Sequence, residues 1–177
     1  MRIVCQTGEV VDLAGPLRGA SLHALNLHRA ILERASFERT VFESCDLRSA
    51  IFALSSGANA RFVGCVLVLA EFQAADLAGV QFVGGDLYSS DFTGANLAGA
   101  TVVDARLEMA SLRGASLDGA DLTRADLTGA LLEGALYTPE TRWPPGFDPT
   151  TSGAVLVGDR AEPFRFLEIE QEDRNGC

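Results

Sequence analysis

The segment GADLTRADLTGALLEGA, residues 119–135, repeats one pattern every five residues: an alanine, a variable residue and a leucine. The same frame extends over 25 positions from Leu17 to Tyr137, and Gly57 is the single position in it without an apolar side chain. This large-residue column consists of Leu17, Leu22, Leu27, Leu32, Phe37, Phe42, Leu47, Phe52, Gly57, Phe62, Leu67, Phe72, Leu77, Phe82, Leu87, Phe92, Leu97, Val102, Leu107, Leu112, Leu117, Leu122, Leu127, Leu132 and Tyr137. A pattern kept in one frame over this length indicates a repeat architecture.

A second column of small residues lies two positions before the large one. It includes Ala20, Ala30, Ala35, Thr40, Cys45, Ala50, Ala60, Cys65, Ala70 and Ala75, and every fifth residue from Ala95 to Ala135. The residue just before this column is often glycine, as at Gly19, Gly64, Gly79, Gly84, Gly94, Gly99, Gly114, Gly119, Gly129 and Gly134. Because glycine turns at little steric cost, we expect the chain to turn a corner at these positions.

Neither an α-helix nor a flat strand can bury this pattern on one face. Five residues advance a helical side chain by about 500°, so the large residues would spiral around the helix. In a strand the side chains alternate, so successive large residues would point to opposite faces. A chain that turns a corner once per five residues directs both columns toward a common axis. The sequence therefore predicts a solenoid, in which each unit is stabilised by stacking on its neighbours.

The units ADLTRADLTGA and ANLAGA resemble the A(D/N)LXX units of the pentapeptide-repeat proteins, and the resemblance covers residues 15–137. It implies an all-β fold, a right-handed quadrilateral β-helix in which four units form one coil and the two columns point inward. With coils about 4.8 Å apart, the repeats make about six coils and a rod about 30 Å long.

Residues 20 positions apart are expected to stack on each other in adjacent coils. One aromatic ladder then contains Phe42, Phe62 and Phe82, and another on the opposite face contains Phe52, Phe72 and Phe92. At Gly57 we expect a bulge or a loosened corner, unless large neighbours such as Phe37 and Leu77 fill the gap. Cys45 and Cys65 also stack; their backbones approach disulfide distance, but two buried free thiols are favoured.

The ends of the solenoid need covers, because a bare coil exposes its core and an unpaired edge. We expect an N-terminal cap at residues 1–14, the β-helix at residues 15–138, and a C-terminal cap and tail at residues 139–177. Trp143 and Phe147 are expected to close the last coil, and similar endings occur in bacterial members of the family. In the tail, Phe164, Phe166 and Ile169 alternate like a strand, which either folds back on the cap or joins a second subunit in a homodimer.

Composition and motifs argue against several classes of protein. The net charge of −10 disfavours binding to nucleic acid or anionic membranes and suits a basic partner. Without a signal-peptide pattern or a membrane-length apolar run, we expect a cytoplasmic protein. His23 and His28 are interpreted as surface residues, and no motif for a cofactor or a metal is present. With convex walls and a solid interior, the chain is predicted not to be an enzyme, with no catalytic, cofactor-binding or metal-binding residues.

The outward positions supply the candidate partner-binding residues. Apolar candidates on one wall are Val63, Val83 and Val103, followed around the next corner by Val66, Val68 and Leu69. A contact site and plain strand preference both explain these residues. Acidic candidates are Asp46, Asp86 and Asp126 in one column, interrupted by Val66 and Arg106, together with Glu71 and Asp91 in another.

Two functions follow as hypotheses. The first is a rigid, acidic, non-catalytic rod that binds an unidentified protein partner. The second comes from the resemblance, since the family includes quinolone-resistance proteins of the Qnr type, which are acidic rods that resemble DNA and bind type II topoisomerases. It implies a DNA mimic that binds DNA gyrase or topoisomerase IV and protects against quinolone-like gyrase poisons in a bacterial cell.

Overall fold

The computed structural model describes residues 1–158, and these form a parallel β-solenoid of about seven turns without a helix. The predicted solenoid fold is confirmed. The strands in this part of the chain are β1 (Arg2–Val4), β2 (Val10–Asp12), β3 (Ser21–His23), β4 (Val41–Glu43), β5 (Arg61–Val63), β6 (Gln81–Val83), β7 (Thr101–Arg106), β8 (Asp121–Asp126), β9 (Leu136–Tyr137) and β10 (Val155–Leu156).

Four walls make up each coil, and we number them in chain order. Wall 2 is a six-stranded parallel sheet of β3 to β8, in which Phe42 lies beside Leu22 in the previous coil and beside Phe62 in the next. The other walls are joined by single bridges with the same 20-residue spacing: Ser36 to Ser56 on wall 1, Asn26 to Asp46 on wall 3, and Ile31 to Ile51 on wall 4.

Corners between walls have left-handed backbone conformations. The glycines that precede the small column have φ between 59° and 71°, which confirms them as corner residues. The same conformation occurs at 13 residues that are not glycine, including Arg39, Leu69 and Met109, with φ between 51° and 60°. A Cβ in this region costs about 1 kcal/mol or more per residue. The corner is therefore imposed by the coil and not by the residue type.

Backbone hydrogen bonds hold each corner and join each coil to the next. On walls 1, 3 and 4 the small residue after a corner donates its N–H to the carbonyl of the large residue three positions earlier, as from Ala30 to Leu27 at 3.0 Å. The large residue donates to the next coil, as from Leu27 to Asp46 at 2.8 Å. Because these bonds recur along the rod, successive coils are held together through their backbones.

The aromatic ladders are present as predicted. Ring centroids of Phe42 and Phe62 are 4.8 Å apart with the rings almost parallel, and those of Phe72 and Phe92 are also 4.8 Å apart. Between the two ladders the rings meet edge to face, as for Phe62 and Phe72 at 6.0 Å. Stacked and edge-to-face pairs are both favourable for the ring quadrupole, so the centre of the core is filled by interlocking phenylalanines.

Gly57 does not mark a bulge, and that expectation is wrong. The ladder is continuous at this position, because Gly57 donates to the Asp76 carbonyl at 2.8 Å and Ser56 donates to Ala35 at 2.9 Å. A Cβ on Gly57 would lie 2.1 Å from Cε2 of Phe37. The Phe37 ring therefore occupies the space that a side chain at residue 57 would need, as the alternative interpretation proposed.

Cys45 and Cys65 are free thiols, and both side chains are 1% exposed. Each donates to a carbonyl of the preceding coil: Cys45 to Leu22 at 3.6 Å and Cys65 to Phe42 at 3.3 Å. Thr40 occupies the same column and donates to the Leu17 carbonyl at 2.6 Å. For Thr40 this is a second bond to a carbonyl that already accepts the N–H of Ala20 at 2.9 Å.

At the N-terminal end, β1 and β2 form an antiparallel hairpin that lies on the first coil. Ile3 of this hairpin is buried, and Val4 accepts a hydrogen bond of 2.8 Å from the N–H of Ile31. Cys5 forms a bridge to Ala30. The hairpin thus adds backbone bonds to the corner between walls 3 and 4.

At the C-terminal end the winding continues beyond Tyr137, into the residues expected to form only a cap, although this segment contains prolines. Arg142 pairs with Asp121, and β10 pairs in parallel with β9. A proline removes the N–H only at its own position, so a ladder can resume on either side of it. This partial coil raises the count from about six coils to about seven.

Two aromatic residues lie under the last coil. The Trp143 ring meets Tyr137 edge to face at 5.5 Å and stacks on Phe147 at 5.3 Å. Both Trp143 and Phe147 are partly buried against the core. The division of the chain at residues 14 and 138 stays a prediction. The tail strand with Phe164, Phe166 and Ile169, and the homodimer suggested for it, lie outside the described residues.

Candidate partner-binding surface

Val63, Val83 and Val103 form a low apolar ridge on wall 2. They stand next to each other in β5, β6 and β7, and each is half-buried. The register shifts between β7 and β8, so that Val103 is paired with Arg124. A charged side chain therefore ends the ridge toward the C-terminus.

A more exposed group of apolar side chains lies on wall 3 and its corner toward wall 4. Val66 is 38% exposed, Leu69 is 55% exposed and Val68 is half-buried. The structure adds two residues that the sequence analysis missed, Tyr88 at 40% and Met109 at 54% exposure. The sequence contains a signal for both residues: Tyr88 lies 20 residues after Val68, and Met109 lies 40 residues after Leu69, so each occupies the same position in a later coil. We call these five residues the apolar strip.

Two members of the apolar strip occupy left-handed corners. Leu69 has φ 58° and Met109 has φ 60°. The Met109 side chain lies over the next corner in its column, because a Cβ on Gly129 would be 2.6 Å from its Sδ atom. Leu69 donates its N–H to the Tyr88 carbonyl at 3.0 Å, so the backbone of the strip is fixed from one coil to the next.

The acidic candidates on wall 3 are largely neutralised by neighbouring arginines. Asp46 pairs with Arg48 at 2.5 Å, and the hydrogen bond from Arg48 lowers the pKa of the carboxyl group. Asp86 contacts Arg106 at 3.2 Å, and Arg106 also contacts Glu108 at 2.6 Å.

Asp126, the third acidic candidate on wall 3, has a lowered pKa because the hydroxyl and N–H of Thr128 donate to it. Two of the three carboxylates of this column therefore have a cation beside them.

Glu71 and Asp91 on wall 4 differ from that column. They are bridged neighbours in adjacent coils, and neither forms an ion pair within residues 1–158. Asp91 accepts hydrogen bonds from the Thr93 N–H at 2.9 Å and from Gln73 Nε2 at 2.8 Å. Burial opposes its ionisation, but these bonds, a further bond from the Thr93 hydroxyl and the positive charge of Arg113 outweigh it and lower its pKa. Neither carboxylate of this pair is taken up by an ion pair in the described part of the chain, so both remain available to a cation.

A groove runs along the corner between walls 3 and 4, next to this pair. It has a volume of 530 Å³ and is lined by Ser49, Leu69, Ser89, Glu71, Gln73 and Asp91, with Arg29 and Gln6 at its N-terminal end. Leu69 thus belongs both to the apolar strip and to the groove. We call this depression the corner groove.

Ion pairs between coils spread the remaining charge over the other walls. Arg113 contacts Glu133 at 3.0 Å, and Arg124 contacts Asp104 at 2.6 Å. His23, which was interpreted from the sequence as a surface residue, lies 3.4 Å from Glu43 in the next coil. The missed partner is 20 residues away, which is the stacking distance of the coil.

Residues 1–158 contain no set of three or more side chains grouped as metal ligands. Within the same residues, no helix combines the length and hydropathy that crossing a membrane requires.

Comparison with known proteins agrees with the coil geometry. The sequence model for pentapeptide repeats matches eight copies, at residues 17–53, 58–94 and 90–129. A trypsin-treated variant of QnrB1, a plasmid-mediated fluoroquinolone resistance protein, is similar in structure, with a TM-score of 0.64 and 20% identity over 72% of this chain and 66% of that chain. The present chain thus spans slightly under two thirds of that structure's length.

HetL, a pentapeptide repeat protein involved in heterocyst differentiation regulation in the cyanobacterium Nostoc sp. strain PCC 7120, has a TM-score of 0.42 and 20% identity over 79% of this chain and 84% of that chain. A comparison with curated proteins gave no match. The likeness to the QnrB1 structure, at 20% identity, shows the fold alone, whereas the repeat match covers most of the solenoid. The chain belongs to the family of pentapeptide-repeat proteins.

Proposed function

We propose that this protein is a non-catalytic binding rod, which presents side chains in fixed positions to a protein partner. The observation that carries the proposal is the apolar strip. Its side chains are not needed to fill the core, and Leu69 and Met109 stand at corners where glycine is less strained. Contiguous exposed apolar surface of this kind is typical of protein contact sites.

The frame beneath the strip favours binding by a rigid surface. Phenylalanine rings fill the core from Phe37 to Phe92 without a cavity at Gly57. Each coil is joined to its neighbours by backbone hydrogen bonds on four walls. A preorganised surface loses little conformational entropy on association, so modest contacts suffice for affinity.

The placement of ionisable groups also supports a binding role. Catalysis needs polar groups that converge in a cleft. Here the arginines and carboxylates of the described residues stand side by side on flat walls, as for Arg113 and Glu133. They form pairs between coils, an arrangement that suits surface stability and partner specificity.

The test is affinity capture from the native lysate with quantitative mass spectrometry. We compare the wild type with Leu69→Glu/Met109→Glu, which places two charges in the strip. The matched control is Ile31→Glu/Leu54→Glu, because these residues are 46% and 49% exposed on wall 4 and its far corner. We expect one set of proteins to be captured by the wild type and the control and lost with the strip variant. Identical capture by all three would contradict the proposal.

Binding to DNA gyrase or topoisomerase IV as a DNA mimic is the second candidate. The net charge of −10 and the rod-shaped fold favour it. The arginine beside Asp46 and the arginine beside Asp86 weaken it, because a mimic of duplex DNA needs rows of unpaired negative charge. A supercoiling assay with gyrase, with and without a quinolone, decides between the two. Inhibition of gyrase, or its protection from the quinolone, at micromolar protein supports the mimic. The absence of both effects excludes it.

Self-association through the tail is a separate proposal about partners. It rests on the alternation of Phe164, Phe166 and Ile169 in the sequence. Sedimentation of the full chain and of residues 1–158 tests it. A dimer that persists after removal of the tail would contradict this assignment.

A further inference from the structure

The corner groove brings acidic and exposed apolar side chains together in one depression. On its wall 4 side, Glu71 and Asp91 form a carboxylate pair that is in no ion pair with the described residues. The charge of Arg113 also acts on Asp91, but this arginine contacts Glu133. On its corner side, Leu69 stands between Ser49 and Ser89, and Tyr88 lies just beyond it. An acidic pair thus lies next to exposed apolar side chains within one depression.

The stacking of the two acidic residues suits a guanidinium group. Glu71 and Asp91 are paired between adjacent coils, whose backbones lie about 4.8 Å apart. A planar guanidinium carries five N–H donors in a fixed fork and can bond to both carboxylates, whereas an ammonium is a point charge. Asp91 stays ionised because its pKa is lowered, so the attraction persists at neutral pH.

Gln73 supplies a further acceptor in the lining. Its Nε2 donates to Asp91 at 2.8 Å, but its Oε1 has no donor among the described residues and is covered by neighbouring atoms. A buried acceptor without a donor costs about 1–3 kcal/mol. A donor that enters beside Asp91 is placed to satisfy it after a small rotation of the amide.

The N-terminal end of the groove disfavours a second cation. Arg29 lines that end, with its Nε donating to Gln6 at 3.2 Å. Arg29 is two coils from Glu71, about 10 Å along the rod. The two ends of the groove therefore differ in charge. The part beside Glu71 and Asp91 is negative, and the end near the N-terminal cap carries the positive charge of Arg29.

We propose that the corner groove binds a segment of a protein partner that carries an arginine flanked by apolar residues, with the guanidinium between Glu71 and Asp91 and an apolar side chain on Leu69 and Tyr88. This inference rests on the proposed binding function and names the surface and the chemistry of the partner. Charge complementarity selects the arginine, and the apolar strip supplies the contact area.

The experiment uses the full ¹⁵N-labelled chain and the peptide acetyl-Ala-Leu-Arg-Leu-amide, followed by NMR. We expect saturable shifts in the amides of Leu69, Glu71, Gln73 and Asp91. The same peptide with glutamine in place of arginine should bind about tenfold more weakly, and so should the arginine peptide to Glu71→Gln/Asp91→Asn. Binding should also weaken in about 1 M salt, where charges are screened within about 3 Å.

The matched control is Glu43→Gln/Asp104→Asn, which removes the same charge from wall 2. We expect it to leave the affinity for the arginine peptide unchanged. Equal binding of the two peptides, equal loss in both variants, or shifts spread over all walls would each overturn the groove assignment. The proposal of a binding rod is tested separately from the groove. A partner that is captured by Glu71→Gln/Asp91→Asn but not by Leu69→Glu/Met109→Glu would support the binding rod and contradict the groove assignment.

Discussion

The coils with phenylalanine in the core, residues 37–92, differ from the leucine-lined coils, residues 97–132, in both core and corners. In the first region, eight corners with positive φ are not glycine and three are glycine. In the second, Asp104 and Met109 are the non-glycine corners, and the others with positive φ are glycine. Both regions keep the same 20-residue coil. One backbone is thus built from large side chains with strained corners or from smaller side chains with relaxed corners.

The difference teaches how the stability of the rod is distributed. An aromatic side chain buries about 150–250 Å² and makes specific ring contacts in addition. That gain offsets the cost of about 1 kcal/mol for each left-handed non-glycine residue. In the leucine-lined coils the gain is smaller, and glycine at the corners keeps the cost small as well. We expect the two regions to respond differently to changes in the core and at the corners.

The largest effect is expected from Phe62→Ala. Phe62 meets Phe37, Phe42, Phe52, Phe72 and Phe82, so its removal leaves a cavity between both ladders. We expect the free energy of unfolding to fall by about 4 kcal/mol, and by about 3 kcal/mol for Leu112→Ala in the other region. Urea unfolding measures both. An equal or smaller loss for Phe62→Ala would contradict the picture of an interlocked aromatic core.

A somewhat smaller loss is expected for Gly57→Leu, because the Phe37 ring fills the space at this position. Overpacking of this kind costs about 1–3 kcal/mol. The double variant Gly57→Leu/Phe37→Ala keeps the summed volume nearly constant, because leucine and alanine together are about as large as phenylalanine and glycine, and it should recover most of the stability. Thermal unfolding tests this, and failure of the second substitution to rescue the first would show that Gly57 is required for another reason.

The two corner substitutions should change the free energy of unfolding in opposite directions, because one removes a glycine from a left-handed corner and the other introduces one. Gly114 has φ 61° with no atom near an added Cβ, so Gly114→Ala should destabilise by about 1 kcal/mol through the backbone alone. Arg39 is exposed with φ 58°, and Arg39→Gly should raise stability slightly, because relief of strain exceeds the entropy of glycine. Denaturant midpoints measure both. Destabilisation by Arg39→Gly would show that the coil does not strain this residue.

The smallest expected effect is a loss of stability in acid that depends on Glu38. Hydrogen bonds from Ser36 and Ser56 lower the pKa of Glu38 from its ordinary 4.5 to about 2. Because the pKa is lower in the folded state, Glu38 contributes fully above pH 4.5, and its contribution is lost as the pH falls toward 2. We expect about 1 kcal/mol or less, the net value of such hydrogen bonds. Between these pH values, the free energy of unfolding of Glu38→Gln should change less with pH than that of the wild type. Parallel profiles would contradict the assignment.

Much of the fold could be predicted from the sequence. The column from Leu17 to Tyr137 fixed which residues point inward, and the stacking of Phe42 on Phe62 followed from the coil length. Glycine at corners such as Gly119 was predicted for the same reason. These features depend on the repeat alone, since each unit contacts only its nearest neighbours.

The candidate site was predictable in part. Val63, Val66 and Leu69 were identified as outward apolar residues, but Tyr88 and Met109 were missed. Glu71 and Asp91 were recognised as acidic, whereas the absence of an ion pair to Asp91 depends on the direction of Arg113, which contacts Glu133. Side-chain direction on the outside is not restricted by the core, so the sequence pattern does not specify it.

The sequence by itself determined the solenoid, the inward columns and the aromatic ladders, because side chains repeat with the backbone period and only one winding buries them all. The tertiary structure alone decided the filling of Gly57 by Phe37, the left-handed corners at residues without glycine, and the winding beyond Tyr137. These depend on contacts between coils and on local backbone energies, which differ from one repeat to the next although the pattern of residues is the same.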